Sequence, residues 1–207
     1  MTSIEVQESH REYMTIFPRV NANECIMVDS ALRHFYQSGI GDVQPLFDLA
    51  ADGSPLAMYL IAGIYHRGQK VEIDYSAAVK WYKRAADGGV KRAFVYMARI
   101  YAEQEQYDRA YEAYDRGASL GYAPCLTGLA SMFFLGRGTE INLEEAERLW
   151  SRAITLGNLY AKKSLGVAYF DGTYGKGKIL QGWWMFWQAR IVTWRLRMTD
   201  RWSDRLV

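Results

Sequence analysis

Large and small apolar side chains recur at fixed spacings four times along the chain. The segments that begin at Ala57, Ala93, Cys125 and Ala161 each have a large apolar residue at the fifth position, a small residue at the sixth and an aromatic residue at the ninth. Their starting points are 36, 32 and 36 residues apart. Because these positions fall on one side of a helix, each segment is predicted to be a helix against which a neighbouring helix packs closely.

A second helix is predicted after each of these segments. Small residues recur there seven positions apart with a bulky pair between them, and the first small residues are Ala78, Ala110, Ala146 and Gly182. In three of the four units a glycine follows, where a helix needs a residue that tolerates the left-handed conformation. One hairpin cannot bury its apolar face alone, so neighbouring hairpins are predicted to stack.

The repeats divide the chain into three predicted regions, all of them helical. Residues 1–53 are interpreted as an N-terminal region with a degenerate capping repeat, residues 54–190 as four hairpin repeats, and residues 191–207 as a C-terminal helix rich in Trp and Arg. The four repeats are predicted at residues 54–89, 90–121, 122–157 and 158–190. The pattern therefore predicts an all-α fold.

Two stretches of the first unit resemble a known family. Residues 57–68, AMYLIAGIYHRG, and residues 74–88, DYSAAVKWYKRAADG, are similar to the Sel1-like repeat, a relative of the tetratricopeptide repeat. Residues 129–157 match the same pattern, and the resemblance covers roughly residues 30–190. It implies an α-solenoid whose helical hairpins form a right-handed superhelix. It also implies a bacterial protein that binds another protein and does not catalyse a reaction.

Charge is unevenly distributed along the 207 residues, whose net charge is +2. Residues 1–42 carry three arginines against six acids, residues 43–173 carry fifteen basic residues against fifteen acids, and residues 174–207 carry seven against two. The basic surplus is therefore confined to the C-terminal tail. Since nucleic-acid binding requires a basic stripe along the fold, the neutral body argues against a nucleic-acid partner.

No combination of residues indicates catalysis, a cofactor or a metal site. Cys25 and Cys125 belong to no metal-binding spacing, and the three histidines are scattered. The acidic N-terminus lacks the features of a signal peptide. The longest uncharged stretch near the tail, residues 179–189, is shorter than the about 20 residues that a membrane span needs. A cytoplasmic protein is predicted, with peripheral contact to the inner membrane as an alternative.

The resemblance also implies where a partner would bind. In tetratricopeptide-like arrays, the concave face is lined by first-helix residues that do not carry the stacking pattern. Transferring those positions predicts a groove of aromatic, basic and polar side chains, suited to an extended peptide that bears carboxylate groups. The predicted groove residues are Tyr59, His66, Arg67, Arg92, Arg99, Glu103, Thr127, Ser131, Phe134, Tyr160, Lys163 and Phe170.

The tail from residue 182 to residue 202 holds five tryptophans. On a helix they fall within a stripe about 100° wide that has arginines at its edges. The predicted interaction helix comprises Trp183, Trp184, Trp187, Arg190, Trp194 and Trp202. Such a stripe is typical of a helix on a membrane surface, and also of a helix that caps a solenoid or pairs with a second copy. Because repeat arrays need end caps, we expect these tryptophans to be buried in a cap or in a dimer.

Together these features predict a non-catalytic protein–protein interaction module, an adaptor, scaffold or regulator that binds a protein or peptide in its groove. The first alternative is a membrane-surface scaffold recruited by the C-terminal helix. The second is an enzyme, because a cysteine-rich branch of the family has been linked to β-lactam hydrolysis. That alternative is disfavoured, since two cysteines in four units do not provide the regularly spaced pairs of that branch.

Overall fold

A computed structural model of the chain describes residues 22–37 and 42–199. These residues form ten α-helices and one short 3₁₀ helix, Lys176–Lys178, and they contain no strand. The α-helices are α1 (Ala22–Gln37), α2 (Gln44–Ala51), α3 (Pro55–Arg67), α4 (Tyr75–Asp87), α5 (Arg92–Glu103), α6 (Tyr107–Ser119), α7 (Ala123–Leu135), α8 (Leu143–Thr155), α9 (Leu159–Phe170) and α10 (Ile179–Thr199). The predicted all-α fold of helical hairpins is confirmed.

The helices are grouped into two compact units, residues 1–105 and residues 106–207. In the first unit α2 packs against α3, α3 pairs with α4, and α4 contacts α5. In the second unit α6 contacts α7, α7 pairs with α8, α8 contacts α9, and α9 pairs with α10. The boundary between the units lies between α5 and α6, inside the predicted repeat 90–121.

Side chains of the preceding loop residues begin four of these helices. Ser54, Asp74, Asn142 and Asn158 each accept a hydrogen bond from the backbone N–H three residues further on, at 2.8 to 3.1 Å. Such a cap satisfies one of the N–H groups that the first helical turn leaves without a carbonyl partner. The starts of α3, α4, α8 and α9 are therefore encoded locally in the sequence.

The small residues of the repeat pattern lie in the core. Ala62, Ala98 and Ala130 have no exposed surface, and Gly166, their equivalent in the fourth unit, is buried as well. The small residues of the second helices are equally buried, at Ala78, Ala110, Ala146 and Gly182. The burial of all eight small residues agrees with the spacing.

Helices α9 and α10 approach each other most closely at two glycines. A Cβ atom at Gly182 would lie 2.5 Å from the backbone nitrogen of Phe170 and 2.6 Å from the carbonyl oxygen of Gly166. A Cβ atom at Gly166 would lie 3.1 Å from the backbone nitrogen of Phe186. There is consequently no room for a side chain at Gly182, and the two backbones are in direct contact.

A polar cluster links the segment that precedes α10 to α8. Lys178 Nζ donates to Glu147 Oε1 at 2.6 Å, and the Tyr169 hydroxyl donates to the same carboxylate oxygen. The ammonium group also lies 4.7 Å and 5.3 Å from the ring centroids of Tyr169 and Tyr174. Tyr174 donates its hydroxyl to the carbonyl oxygen of Leu143 at 2.7 Å. These contacts fix the loop that leads into the last helix.

The last helix differs from the predicted division of the chain. Helix α10 continues without a break from Ile179 to Thr199, so the boundary drawn between residues 190 and 191 falls inside it. The second helix of the fourth repeat and the start of the C-terminal segment are one element.

Candidate protein-binding site

Aromatic side chains from three helices of the first unit converge on one face. The rings of Tyr82 on α4 and Tyr96 on α5 are stacked, with centroids 5.4 Å apart. Tyr59 on α3 lies 5.6 Å from Tyr82 and 5.9 Å from Tyr96. His66, also on α3, packs edge-on against Tyr75, Tyr82 and Tyr96 at 5.9 to 6.1 Å. We call these five residues the aromatic cluster.

Helical spacing explains why these residues meet. Tyr59 and His66 are seven residues apart on α3 and therefore share a face. Gly63 lies on that face between them, and the Arg67 guanidinium lies over it, since a Cβ atom there would be 3.1 Å from Arg67 Nη2. The missing side chain at residue 63 thus leaves room for a cation beside the rings.

Helix α5 adds charged groups in the same way. Arg92, Tyr96, Arg99 and Glu103 are spaced by four, three and four residues, so they form one stripe along α5. The Arg92 guanidinium lies 5.8 Å from the centroid of the Tyr96 ring, within the range of a cation–π interaction. Arg99 and Glu103 are exposed at the surface of this stripe.

Hydrogen bonds hold the hydroxyl groups of the cluster in place. The hydroxyls of Tyr59 and Tyr96 are hydrogen-bonded to each other, and Arg92 donates to Tyr96. Burial raises the pKa of Tyr59 and of Tyr82, so both phenols keep their protons at neutral pH. Burial acts on Tyr96 in the same direction, but the charge of Arg92 and the two hydrogen bonds outweigh it and lower the pKa of Tyr96.

The histidine of the cluster is neutral at neutral pH, so arginines provide the positive charge. Burial lowers the pKa of His66, and Arg67 and Arg99 lower it further, while Glu103 acts in the opposite direction. His66 Nδ1 lies 3.5 Å from the hydroxyl oxygen of Tyr82. Within the described part of the chain, the charged side chains that shift the pKa values of His66, Tyr82 and Tyr96 are three arginines, with Arg92 as the third, and one glutamate. The face carries a positive surplus.

The six residues predicted for the groove on the first unit lie in or beside the aromatic cluster, and three tyrosines that the prediction did not name pack among them. The missed residues are Tyr75, Tyr82 and Tyr96. Tyr82 belongs to the bulky pair that was interpreted as packing between hairpins, and its burial agrees with that interpretation. Tyr96 could have been found, because it shares the helical stripe of Arg92 and Arg99.

Three of the predicted groove residues on the second unit make contacts within their own hairpin. The hydroxyls of Thr127 and Ser131 each donate to the carbonyl oxygen four residues earlier, at 3.0 Å. The ring of Phe134 packs against Trp150 at 5.3 Å. All three are half-buried. The two hydroxyls therefore bond within α7 itself, and Phe134 contributes to the pairing of α7 with α8.

The other three predicted groove residues lie together on α9. Tyr160, Lys163 and Phe170 are exposed, with Tyr160 at 62% and Phe170 at 54%. Val167, which the sequence analysis did not name, lies on the same face and is 43% exposed. An exposed apolar strip of this kind is available for contact with another molecule.

Three tryptophans of the C-terminal helix are exposed in the single chain, so the described residues do not bury them in a cap, and their burial in a dimer stays a prediction. Trp183, Trp184 and Trp187 are 50%, 59% and 44% exposed. The reason is that α10 turns its opposite side, with the buried Gly182 and the half-buried Phe186, toward α9.

Arg190, the fourth predicted residue of the interaction helix, lies beside its aromatic rings. The Arg190 guanidinium is 5.7 Å from the ring centroid of Phe186 and 5.9 Å from that of Trp187. The side chain of Trp194, and Trp202 altogether, lie outside the part of the chain that the structure describes.

Two further observations concern other kinds of site. Within the described ranges, no group of three or more His, Cys, Asp or Glu side chains could hold a metal ion. None of the helices that the structure describes has the length and hydropathy needed to cross a membrane.

Comparison with known families identifies the repeat. The model of the Sel1 repeat matches residues 55–90 and residues 123–158. The chain therefore contains Sel1 repeats, one in each unit, and the resemblance drawn from the sequence is confirmed. The matched segments correspond to the hairpins of α3 with α4 and of α7 with α8.

Solved structures share this fold. A Sel1 repeat protein from Oxalobacter formigenes is 24% identical with a TM-score of 0.67, over 89% of this chain and 80% of that one. The protective antigen c5321 of uropathogenic Escherichia coli, with an SLR fold, is 19% identical with a TM-score of 0.66. The match covers 96% of this chain but only 44% of c5321. The immunity protein Pa5087 from Pseudomonas aeruginosa is 19% identical with a TM-score of 0.54, over 96% and 77% of the two chains.

Proposed function

We propose that this Sel1 repeat protein is a non-catalytic interaction module that binds an acidic segment of a partner protein at the aromatic cluster of its first unit. The observation that carries the proposal is the combination of stacked aromatic rings with three arginines and one glutamate on one face. Arginine and tyrosine are the side chains that most often dominate the energy of protein–protein interfaces.

The charge of the site favours a partner with carboxylates. Arg67 and Arg99 are exposed, and a guanidinium group forms paired hydrogen bonds with a carboxylate more readily than an ammonium group does. Because His66 is neutral at neutral pH, the attraction depends on the arginines. A segment with several Asp or Glu residues would match this surplus.

The aromatic cluster is also organised before binding. Tyr96 is held by Tyr59, by Arg92 and by stacking on Tyr82. Side chains that are already fixed lose little conformational entropy when a ligand binds, so more of the contact energy appears as affinity. This arrangement suits recognition, since it presents a rigid surface rather than a mobile one.

The setting of this activity is part of the proposal. The proteins of similar fold come from bacteria, and we propose a bacterial adaptor or scaffold that acts in the cytoplasm. On the second unit, the exposed Tyr160, Lys163 and Phe170 are proposed as a separate surface for contact with a protein.

Selection from a random peptide display library on the full-length protein tests the proposal. We expect enrichment of sequences rich in Asp and Glu, and charge reversal of the exposed pair, Arg67→Glu with Arg99→Glu, should weaken binding of a selected peptide at least about tenfold. The melting temperature should change little, because neither arginine is buried.

A matched control separates a specific site from general charge. Lys80→Glu with Lys83→Glu reverses the same number of charges on exposed positions of α4 in the same unit. This control pair should bind the selected peptide like the wild-type protein. The proposal fails if the library yields no acidic sequences, or if the control pair loses as much affinity as the arginine pair.

A further inference from the structure

Helix α10 differs from the other second helices at positions that face solvent. The four second helices, α4, α6, α8 and α10, can be aligned on their buried small residues, Ala78, Ala110, Ala146 and Gly182. Relative to this small residue, the four positions −2, +2, +5 and +9 are exposed in every one of these helices. They allow a direct comparison of equivalent surfaces.

In the three earlier helices, all of these exposed positions are polar. In α8 they are Glu144, Arg148, Ser151 and Thr155, and in α4 and α6 they are only Ser, Lys, Asp or Glu. In α10 all four are large and apolar. We call them the apolar face of α10, and they are Leu180, Trp184, Trp187 and Ile191, with exposed fractions of 83%, 59%, 44% and 50%.

The apolar face is not explained as the surface on which a further repeat would stack. The position that contacts the following hairpin comes one residue after the small residue, since Tyr111 of α6 packs on Phe133 at 5.8 Å and Glu147 of α8 is bonded to Tyr169. In α10 this position is Trp183. The apolar face occupies the neighbouring positions, whose equivalents in α6 and α8 stay exposed although a hairpin follows.

The charge around the apolar face indicates what it contacts. Residues 172–199 contain five Lys or Arg residues and no Asp or Glu, and one of the five, Lys178, is paired with Glu147 of α8. A symmetric dimer would bring this same basic segment of two copies together, which like-charge repulsion opposes. An anionic lipid surface attracts it, and Trp and Arg are the residues that settle in the headgroup region of a bilayer.

We propose that the apolar face of α10 is a membrane-contact site, which inserts its tryptophans into the headgroup region of a bilayer containing anionic lipid. Leu180, Trp184, Trp187 and Ile191 provide the apolar contact. Basic side chains such as Lys176 and Arg190, both exposed, provide the attraction to charged headgroups. This site is additional to the acidic-peptide site on the first unit.

The chain itself supplies the residues for the decisive variant. In the quartet variant, Leu180→Glu, Trp184→Arg, Trp187→Ser and Ile191→Thr, the apolar face receives the residues that α8 has at the same positions. The net charge is unchanged, because one acid and one base are added. Wild-type protein should sediment with vesicles of phosphatidylcholine and phosphatidylglycerol, more weakly at high salt, and much less with phosphatidylcholine alone.

Vesicle binding by the quartet variant should fall at least about tenfold with an unchanged far-UV spectrum. The control variant, Leu120→Ser with Leu156→Ser, removes side chains that are 50% and 53% exposed elsewhere in the same unit and should bind like the wild type. If the quartet variant does not fold, Trp184→Arg alone replaces it, with a smaller loss expected.

Three outcomes would overturn the proposal. In the first, the wild-type protein stays in the supernatant with every vesicle composition, and in the second, the quartet variant binds as well as the wild type. In the third outcome, analytical ultracentrifugation shows a wild-type dimer that the quartet variant abolishes while vesicles bind neither protein. The apolar face would then be a contact between two copies.

Discussion

His66 lies at the end of α3, half-buried among three tyrosines. Burial lowers its pKa, Glu103 opposes this effect, and Arg67 and Arg99 lower the pKa further. The unfolded chain therefore takes up a proton at this residue before the folded chain does. The contribution of His66 to stability is fully present above its ordinary pKa of about 6.5 and is lost as the pH falls through and below that value.

The lowered pKa of His66 gives a prediction for this single residue. Between about pH 7.5 and about pH 5, the denaturant midpoint of the wild-type protein should fall by more than that of His66→Gln, because only the former loses the histidine contribution. Chemical denaturation at a series of pH values measures the difference. If the denaturant midpoints of the two proteins change equally with pH, His66 has the same pKa in the folded and unfolded chains.

At the scale of elements, the crossing of α9 and α10 depends on one position. Gly182→Ala places a Cβ atom within 2.7 Å of the backbone of α9, and it should destabilise the protein by about 1–3 kcal/mol although Ala favours a helix. Gly177→Ala is the matched control, because a Cβ atom there meets nothing within 4 Å. Thermal unfolding compares the two. A stabilised Gly182→Ala protein would contradict the close approach.

The pairing of helices could be predicted from the sequence, and the exposure of the last helix could not. Small residues such as Ala62 and Ala146 recur at spacings that place them on one face, and this local signal is enough to identify the buried side. Helix α10 has apolar side chains on two opposite sides, so periodicity alone cannot tell which side packs. The repeat register places Gly182 on the packing side, and the close approach to α9 agrees with it, but the register does not show whether another part of the chain covers the tryptophans.

The aromatic cluster was also predictable only in part. The stripe of Arg92, Arg99 and Glu103 follows from the period of a single helix, and Tyr96 belongs to it. The stacking of Tyr82 on Tyr96 joins two helices, so no spacing within one helix predicts it. Burial is the main cause of the raised pKa of Tyr59, whereas the pKa of Tyr96 is lowered by the charge of Arg92 on its own helix and by hydrogen bonds with Tyr59 and Arg92.

At the scale of the whole molecule, the two proposed sites use different residues on different units, so their effects should be independent. Substitutions that share no contacts usually act additively. The Arg67→Glu and Arg99→Glu protein should bind vesicles like the wild type, and the quartet variant should bind the selected acidic peptide with unchanged affinity.

Peptide affinity and vesicle sedimentation, measured on both variants and on their combination, check this independence. Loss of both activities in either variant would indicate a general defect in folding or one shared binding surface. An intact opposite activity in each variant would instead serve as the evidence that both proteins are folded.

In each second helix, the buried small residue and the four exposed positions compared above are different residues, as the alignment on Ala146 and Gly182 shows. Mutation can therefore rewrite the outer surface of one repeat while the buried register is preserved. The apolar face of α10 differs from its counterpart in α8 by four side chains. A few substitutions at exposed positions are therefore enough to add or remove such a surface. A duplicated repeat would keep its stable core while its exposed positions change.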